Sequence, residues 1–166
     1  MSDWFATYGF ADVHDGLVIG AYPLDAGDVA TLSSMSVQRI LNLVEDQEYP
    51  PGRRFVIEAA LRGAGIDEHR MQLTDFGRLP AERLEEAVRQ VVAWLKHDQL
   101  VYVHCRAGWQ RSAAVAAGAV AVYDGVSIDE ALRMVQRRKP SADPLPHQRD
   151  DLHAWFNQRS GLHPRR

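Results

Sequence analysis

Apolar positions along the chain fall in short runs divided by polar punctuation. Leu17-Val18-Ile19, bounded by Asp15-Gly16 and Gly20, predicts a strand. Arg39–Val44 predicts a buried strand and Glu68–Leu73 another. Leu100–Val103, rich in β-branched and aromatic residues, predicts a fourth. Between these runs the spacing turns helical. Asp28–Met35 predicts a short helix, and Phe55–Arg62 one that stops at Gly63-Ala64-Gly65. The clearest helix is Pro80–His97. Leu84, Val88, Val91, Val92 and Leu95 share one face, with Arg83, Glu86, Arg89 and Gln90 opposite, and Pro80 suits a first turn. A helix of small residues starts near Arg111 and ends at Asp124-Gly125. Ser127 and Glu130 form a capping box for a helix running to about Lys139. Pro140, Pro144 and Pro146 interrupt the chain before a last helix, His147–Arg159.

This alternation predicts an α/β fold, a single domain over residues 1–166 with a central, mostly parallel sheet flanked by helices. Ligands of such sheets bind beyond the carboxyl ends of strands. Two loops lie at such ends: the one after Val103, and Thr74-Asp75-Phe76-Gly77.

Composition narrows the classes. Apolar residues make up 46% and charged residues 25%, which fits a globular chain and excludes disordered and fibrous ones. The net charge of -3 lacks the basic surplus of a nucleic-acid binder. Cys105 is the only cysteine, so no intrachain disulfide can form, and a reducing compartment fits best. Met1-Ser2-Asp3-Trp4-Phe5 has neither the basic start of a signal peptide nor a glycine to myristoylate. The longest apolar run, Ala113–Val122, is too short for a membrane span. The expectation is a soluble cytoplasmic protein with neither nucleic-acid nor membrane partner. The histidines lack close metal spacing, so no metal or cofactor is expected. Oligomeric state is not legible.

The loop after Val103 concentrates the chemistry: His104-Cys105-Arg106-Ala107-Gly108-Trp109-Gln110-Arg111-Ser112. A lone thiol opens it at a strand end, and an arginine closes it where a helix begins. A helix N-terminus offers unpaired N–H groups and the positive end of the dipole to a phosphate-like anion. Such a field also favours a thiolate, the nucleophilic form of cysteine. Ala107 and Gly108 are small enough to let backbone N–H groups turn inward. Arg111 offers a planar fork to two oxygens of a phosphoryl group. Ser112 can donate a hydrogen bond to sulfur. For Cys105 the plainer alternative is a buried inert thiol, and for His104 a buried histidine.

The run His-Cys-x5-Arg-Ser resembles the signature of the protein tyrosine phosphatase superfamily, and the short chain looks like its dual-specificity branch. Val18-Ile19-Gly20-Ala21, a helix and Arg39–Leu43 resemble that branch's opening. The resemblance implies a cysteine-phosphatase fold and a phosphate monoester hydrolase working through a phosphocysteine without metal. It implies Cys105 as nucleophile, Arg111 as phosphate ligand, and Ser112 easing departure of the thiolate. His104 orders the loop and tunes the thiol. Arg106, Ala107, Gly108, Trp109 and Gln110 line the substrate site.

Asp75, thirty residues before Cys105, stands where the family's general acid is expected; Asp67, Glu68 and Asp98 compete. Trp109 either walls the pocket mouth or packs on a neighbour, and Arg106 points to solvent. Arg53-Arg54, Arg137-Arg138-Lys139 and Arg165-Arg166 read as solvated charge. The implied substrate is a phosphorylated protein or a small phosphate ester: phosphotyrosine, with phosphoserine and phosphothreonine open to a shallow pocket. A phosphoinositide is a weaker candidate, since the loop holds no lysine. The rival classes are a sulfurtransferase or arsenate reductase, and a phosphate-binding pseudophosphatase.

Overall fold

A computed structural model describes residues 1–162. Arg165-Arg166 lies outside the described residues. Strand β1 (Phe10–His14) runs antiparallel to β2 (Leu17–Gly20). β2 pairs in parallel with β5 (Val101–His104), β5 with β3 (Arg39–Asn42), and β3 with β4 (Asp67–Arg70). The order across the sheet is therefore β1-β2-β5-β3-β4.

Side chains alternate across the sheet and sort the helices into two layers. Leu17, Ile19, Leu41, Val101 and Val103 face α4 (Ala81–Lys96), α5 (Arg111–Asp124), α6 (Ile128–Arg138) and α7 (Pro146–Leu162). Val18, Ile40 and Tyr102 face α1 (Asp3–Tyr8), α2 (Ala26–Ser34) and α3 (Arg53–Ala64). The apolar stripe expected on Pro80–His97 is the buried face of α4. α5 packs against α4, α6 and α7 as well as against β2 and β5, and its run from Arg111 to Ala121 is buried. The small residues there let neighbouring backbones approach. Among the described residues, no helix is long and apolar enough to cross a membrane.

The structure moves several sequence boundaries. The strand expected at Glu68–Leu73 ends at Arg70, although Met71 N and Leu73 N still donate to Asn42 and Leu43 carbonyls at 2.9 and 3.1 Å. β4 is an edge strand of four polar residues, so apolar patterning could not set its end. β3 likewise ends at Asn42 rather than Val44, α2 begins at Ala26 rather than Asp28, and α3 extends to Arg53 and Ala64. Three elements lie outside the sequence expectations: α1, β1 and a 3-10 turn at Asp46–Glu48. The Asp15-Gly16 turn joins β1 to β2 with Gly16 at φ 77°, which makes the hairpin a two-residue one.

Candidate active site

β5 occupies the centre of the sheet, with Gly20 and Asn42 flanking His104 in register. The next residue, Cys105, opens the loop to α5 at the carboxyl edge, where a parallel sheet offers its ligand crevice. Cys105 is buried, and its Sγ lies 3.3 Å from Ser112 Oγ in the first turn of α5. Gln110 caps α5 without a side-chain hydrogen bond to the first turn.

Three backbone carbonyls of the loop are held from outside it. His104 Nδ1 is 3.2 Å from Cys105 O, and since a carbonyl only accepts, Nδ1 carries the hydrogen. Burial pushes the His104 pKa down to about 4, so the ring is neutral at physiological pH, and Nε2 is buried without a partner among the described residues. Arg106 O accepts from Trp4 Nε1 at 2.8 Å and from Tyr22 N at 3.2 Å. Trp109 O accepts from Asp143 N at 2.6 Å. Gly108 sits at φ 77°, and a Cβ there would lie 2.6 Å from the Gly20 carbonyl carbon. Only glycine meets both the left-handed backbone and that approach to β2.

Arg111 is buried and heavily partnered. Nη1 and Nη2 donate to the two Glu48 oxygens at 2.8 and 2.7 Å, and Nη1 also donates to Leu73 O at 2.9 Å. Glu48 ends a 3-10 turn (Asp46–Glu48) just beyond β3, where the Glu45 N–H also donates to it at 2.8 Å. Burial acts to raise the Glu48 pKa, but the hydrogen bonds from Arg111 and from Glu45 hold it below the usual carboxylate value. The other edge of the guanidinium carries Nε, which is buried and has no partner among the described residues. The fork expected from sequence is therefore split, with one edge fixed by Glu48 and the edge bearing Nε left for an acceptor.

Asp75 Oδ1 lies 3.1 Å from Arg111 Nη2 and is partly exposed. Its loop is tied to α7 through His147 Nε2, which donates to Phe76 O at 2.9 Å, and Gln148 Nε2, which donates to Gly77 O at 3.2 Å. The competing carboxylates lie elsewhere. Asp67 pairs with Arg39 at the start of β4, and Glu68 is held by Arg54 and Asn42. Asp98 turns the chain before β5, at the opposite edge of the sheet.

Arg106 is exposed, as expected, but its guanidinium lies over the Trp4 ring, 5.0 Å from the centroid. Trp109 is 43% exposed and meets Tyr8 edge-on at 5.4 Å, so it both packs and stands at the surface. Two expected solvated cations are not solvated. Arg54 bonds Glu68 and Glu58, and Lys139 is buried, with Nζ donating to Ser141 Oγ at 2.9 Å. Sequence reasoning missed Glu48, Trp4, Tyr22 and Asp143. For Glu48 a signal existed: the acidic run Glu45-Asp46-Gln47-Glu48 follows an expected strand on its carboxyl side. Among the described residues, no group of three or more His, Cys, Asp or Glu side chains is placed to hold a metal. The arrangement can hold a tetrahedral anion between a helix start and a fixed guanidinium, against a thiol.

Residues 18–158 match the family model for the catalytic domain of dual specificity phosphatases. The human phosphatidylglycerophosphatase and protein-tyrosine phosphatase 1 is 25% identical over 145 residues, 86% of this chain and 70% of that protein. The rat protein of that name is 24% identical over 86% of this chain and 73% of its own length. Among solved structures, PTPMT1 in complex with PI(5)P superposes with a TM-score of 0.80 at 22% identity, covering 92% of this chain and 97% of its own. Tk-PTP in its active form gives 0.79 at 21%, covering 90% and 97%.

Proposed function

The chain belongs to the dual specificity phosphatase catalytic-domain family, and from that premise we propose that it hydrolyses phosphate monoesters through a phosphocysteine at Cys105. The observation that carries this reading is Cys105 Sγ 3.3 Å from Ser112 Oγ in the first turn of α5, the turn that also carries the buried Arg111. The Cys105 thiolate attacks phosphorus in line with the leaving oxygen, forming the S–P bond as the P–O bond breaks. Loop N–H groups and the Nε edge of Arg111 hold the equatorial oxygens, where transition-state charge gathers. Asp75, beside that guanidinium, swings to the leaving oxygen and donates its proton. Water then attacks the phosphocysteine and gives a proton to Asp75. The thiolate leaves with a hydrogen bond from Ser112, and inorganic phosphate is released.

The test is hydrolysis of aryl phosphates with chelator present. Cys105→Ser is expected to abolish turnover while keeping oxyanion binding. Asp75→Ala is expected to lower kcat by about 10²–10⁴-fold for poor leaving groups and much less for good ones. Equal losses for both would remove Asp75 from the acid role, and wild-type activity in Cys105→Ser would overturn the mechanism.

For the substrate, phosphotyrosine is the first reading, with phosphoserine and phosphothreonine beside it. A lipid phosphate is the second, supported by the name of the human relative and the PI(5)P bound by PTPMT1. Comparing kcat/KM for a phosphotyrosine peptide with that for phosphatidylglycerophosphate and PI(5)P in vesicles separates them. The proposed setting is cytoplasmic.

A further inference from the structure

The loop's N–H groups can hold a phosphoryl group only if their peptide planes are turned the right way. A trans peptide places its C=O and N–H on opposite sides, and no cis peptide bond is present among the described residues. Fixing the Arg106 carbonyl therefore fixes the Ala107 N–H. Two donors hold that carbonyl, and both lie on the same flank of the loop: Tyr22 N, just past the end of β2, and Trp4 Nε1 on α1. The Ala107 N–H must point away from that flank.

α1 is itself built to hold the indole in place. Ser2 N and Oγ donate to the two oxygens of buried Asp28 at 2.7 and 2.5 Å, and Ser2 Oγ also accepts from Phe5 N. Asp28 takes a further bond from Leu24 N at 2.8 Å. Phe5 is buried among the residues facing α2 and α3. On the exposed side, Trp4 packs against Tyr8 at 4.4 Å and Tyr22 at 6.0 Å, and Arg106 covers its ring. The family match begins at residue 18, so α1 lies ahead of the shared domain.

We propose that Trp4 is a positioning residue for the phosphate-binding loop, its indole N–H fixing the Arg106–Ala107 peptide so that the Ala107 N–H faces the bound oxyanion. The proposal rests on the phosphatase reading for its kinetic consequence but not for its binding one. Trp4→Phe keeps an aromatic ring over which Arg106 can stack and removes the donor. Tungstate affinity, measured by calorimetry, and kcat/KM for aryl phosphates are expected to fall together by about tenfold, as when one donor to a developing charge is misdirected. The rate ratio between good and poor leaving groups stays at the wild-type value, unlike that of Asp75→Ala, and Tm changes little. Ser2→Ala, which loosens α1 without touching the indole, is expected to move both quantities the same way by a smaller factor.

A folded Trp4→Phe protein with wild-type tungstate affinity and kcat/KM overturns the proposal. If Trp4→Phe does not fold, unchanged tungstate affinity in Ser2→Ala overturns it instead. A wild-type protein that binds tungstate but hydrolyses nothing removes the phosphatase reading and leaves the binding comparison to decide the role of Trp4.

Discussion

Arg111 is useful because most of its hydrogen-bonding capacity is already committed. Glu48 and the Leu73 carbonyl hold one edge of the guanidinium, so the other edge presents its donors at a fixed angle. Breaking a buried ion pair from one side leaves an uncompensated charge. Glu48→Gln is expected to cost about 3 kcal/mol of stability and to lower kcat/KM about 10–100-fold as the guanidinium loses its orientation. Urea unfolding and steady-state kinetics check both, and an unchanged kcat/KM would show that the other partners of Arg111, Leu73 O among them, suffice to orient it. At this scale the legible part was the contiguous part. Cys105, Arg111 and Ser112 lie within eight residues on one strand-loop-helix unit, so spacing alone places them together. Glu48 and Trp4 reach the same loop from 63 and 102 residues away in sequence. Such contacts exist only after the sheet has formed, and no local pattern encodes them.

The loop and β2 are fitted to each other at a pair of glycines. Gly108 approaches the Gly20 backbone, and a Cβ on Gly20 would in turn lie 2.4 Å from Tyr102 Oη. Gly108→Ala combines a left-handed backbone with a clash against backbone atoms that cannot swing aside. A loss of at least about 2 kcal/mol is expected, with weakened tungstate binding because the loop must shift to relieve the contact. Thermal unfolding with and without tungstate reads both effects, and a variant as stable as wild type would show that the loop can yield. The elements that patterning found have a buried apolar face, β2, β3, β5 and α4 among them. Those it missed or misplaced have little such face. β1 shows one buried position and β4 none, and α1 buries only Phe5.

Acid should loosen the whole molecule through groups that the fold keeps from protonating. The unfolded chain takes up a proton at His104 as pH falls through about 6.5, whereas the folded protein resists until about 4. Stability contributed by the neutral ring is thus complete above the higher value and drains away between the two, by about 3 kcal/mol. Glu48 and Glu68 add a loss of the same sign further down. For both, burial opposes ionisation, but hydrogen bonds from Arg111 and from Arg54 respectively hold the pKa below the usual carboxylate value. The urea midpoint is expected to be level near pH 7 and to fall from about 6.5 toward 4. His104→Asn, which can still donate to Cys105 O, should flatten the upper part of that fall. A wild-type midpoint that stays level over the range would refute the assignment. The two-layer α/β architecture was legible in the alternation of strands and helices, because each layer needs only a repeating apolar face. The placement of β5 between β2 and β3 was not, since it follows from long-range pairing. That placement also orders events in time. A chain emerging from its amino end has made β2 and β3 well before residues 101–104 appear, and the edges those strands turn toward β5 cannot close until then. The loop that follows β5 cannot be seated before that strand fills the slot, so the nascent chain carries open strand edges until residues 101–104 have been synthesised.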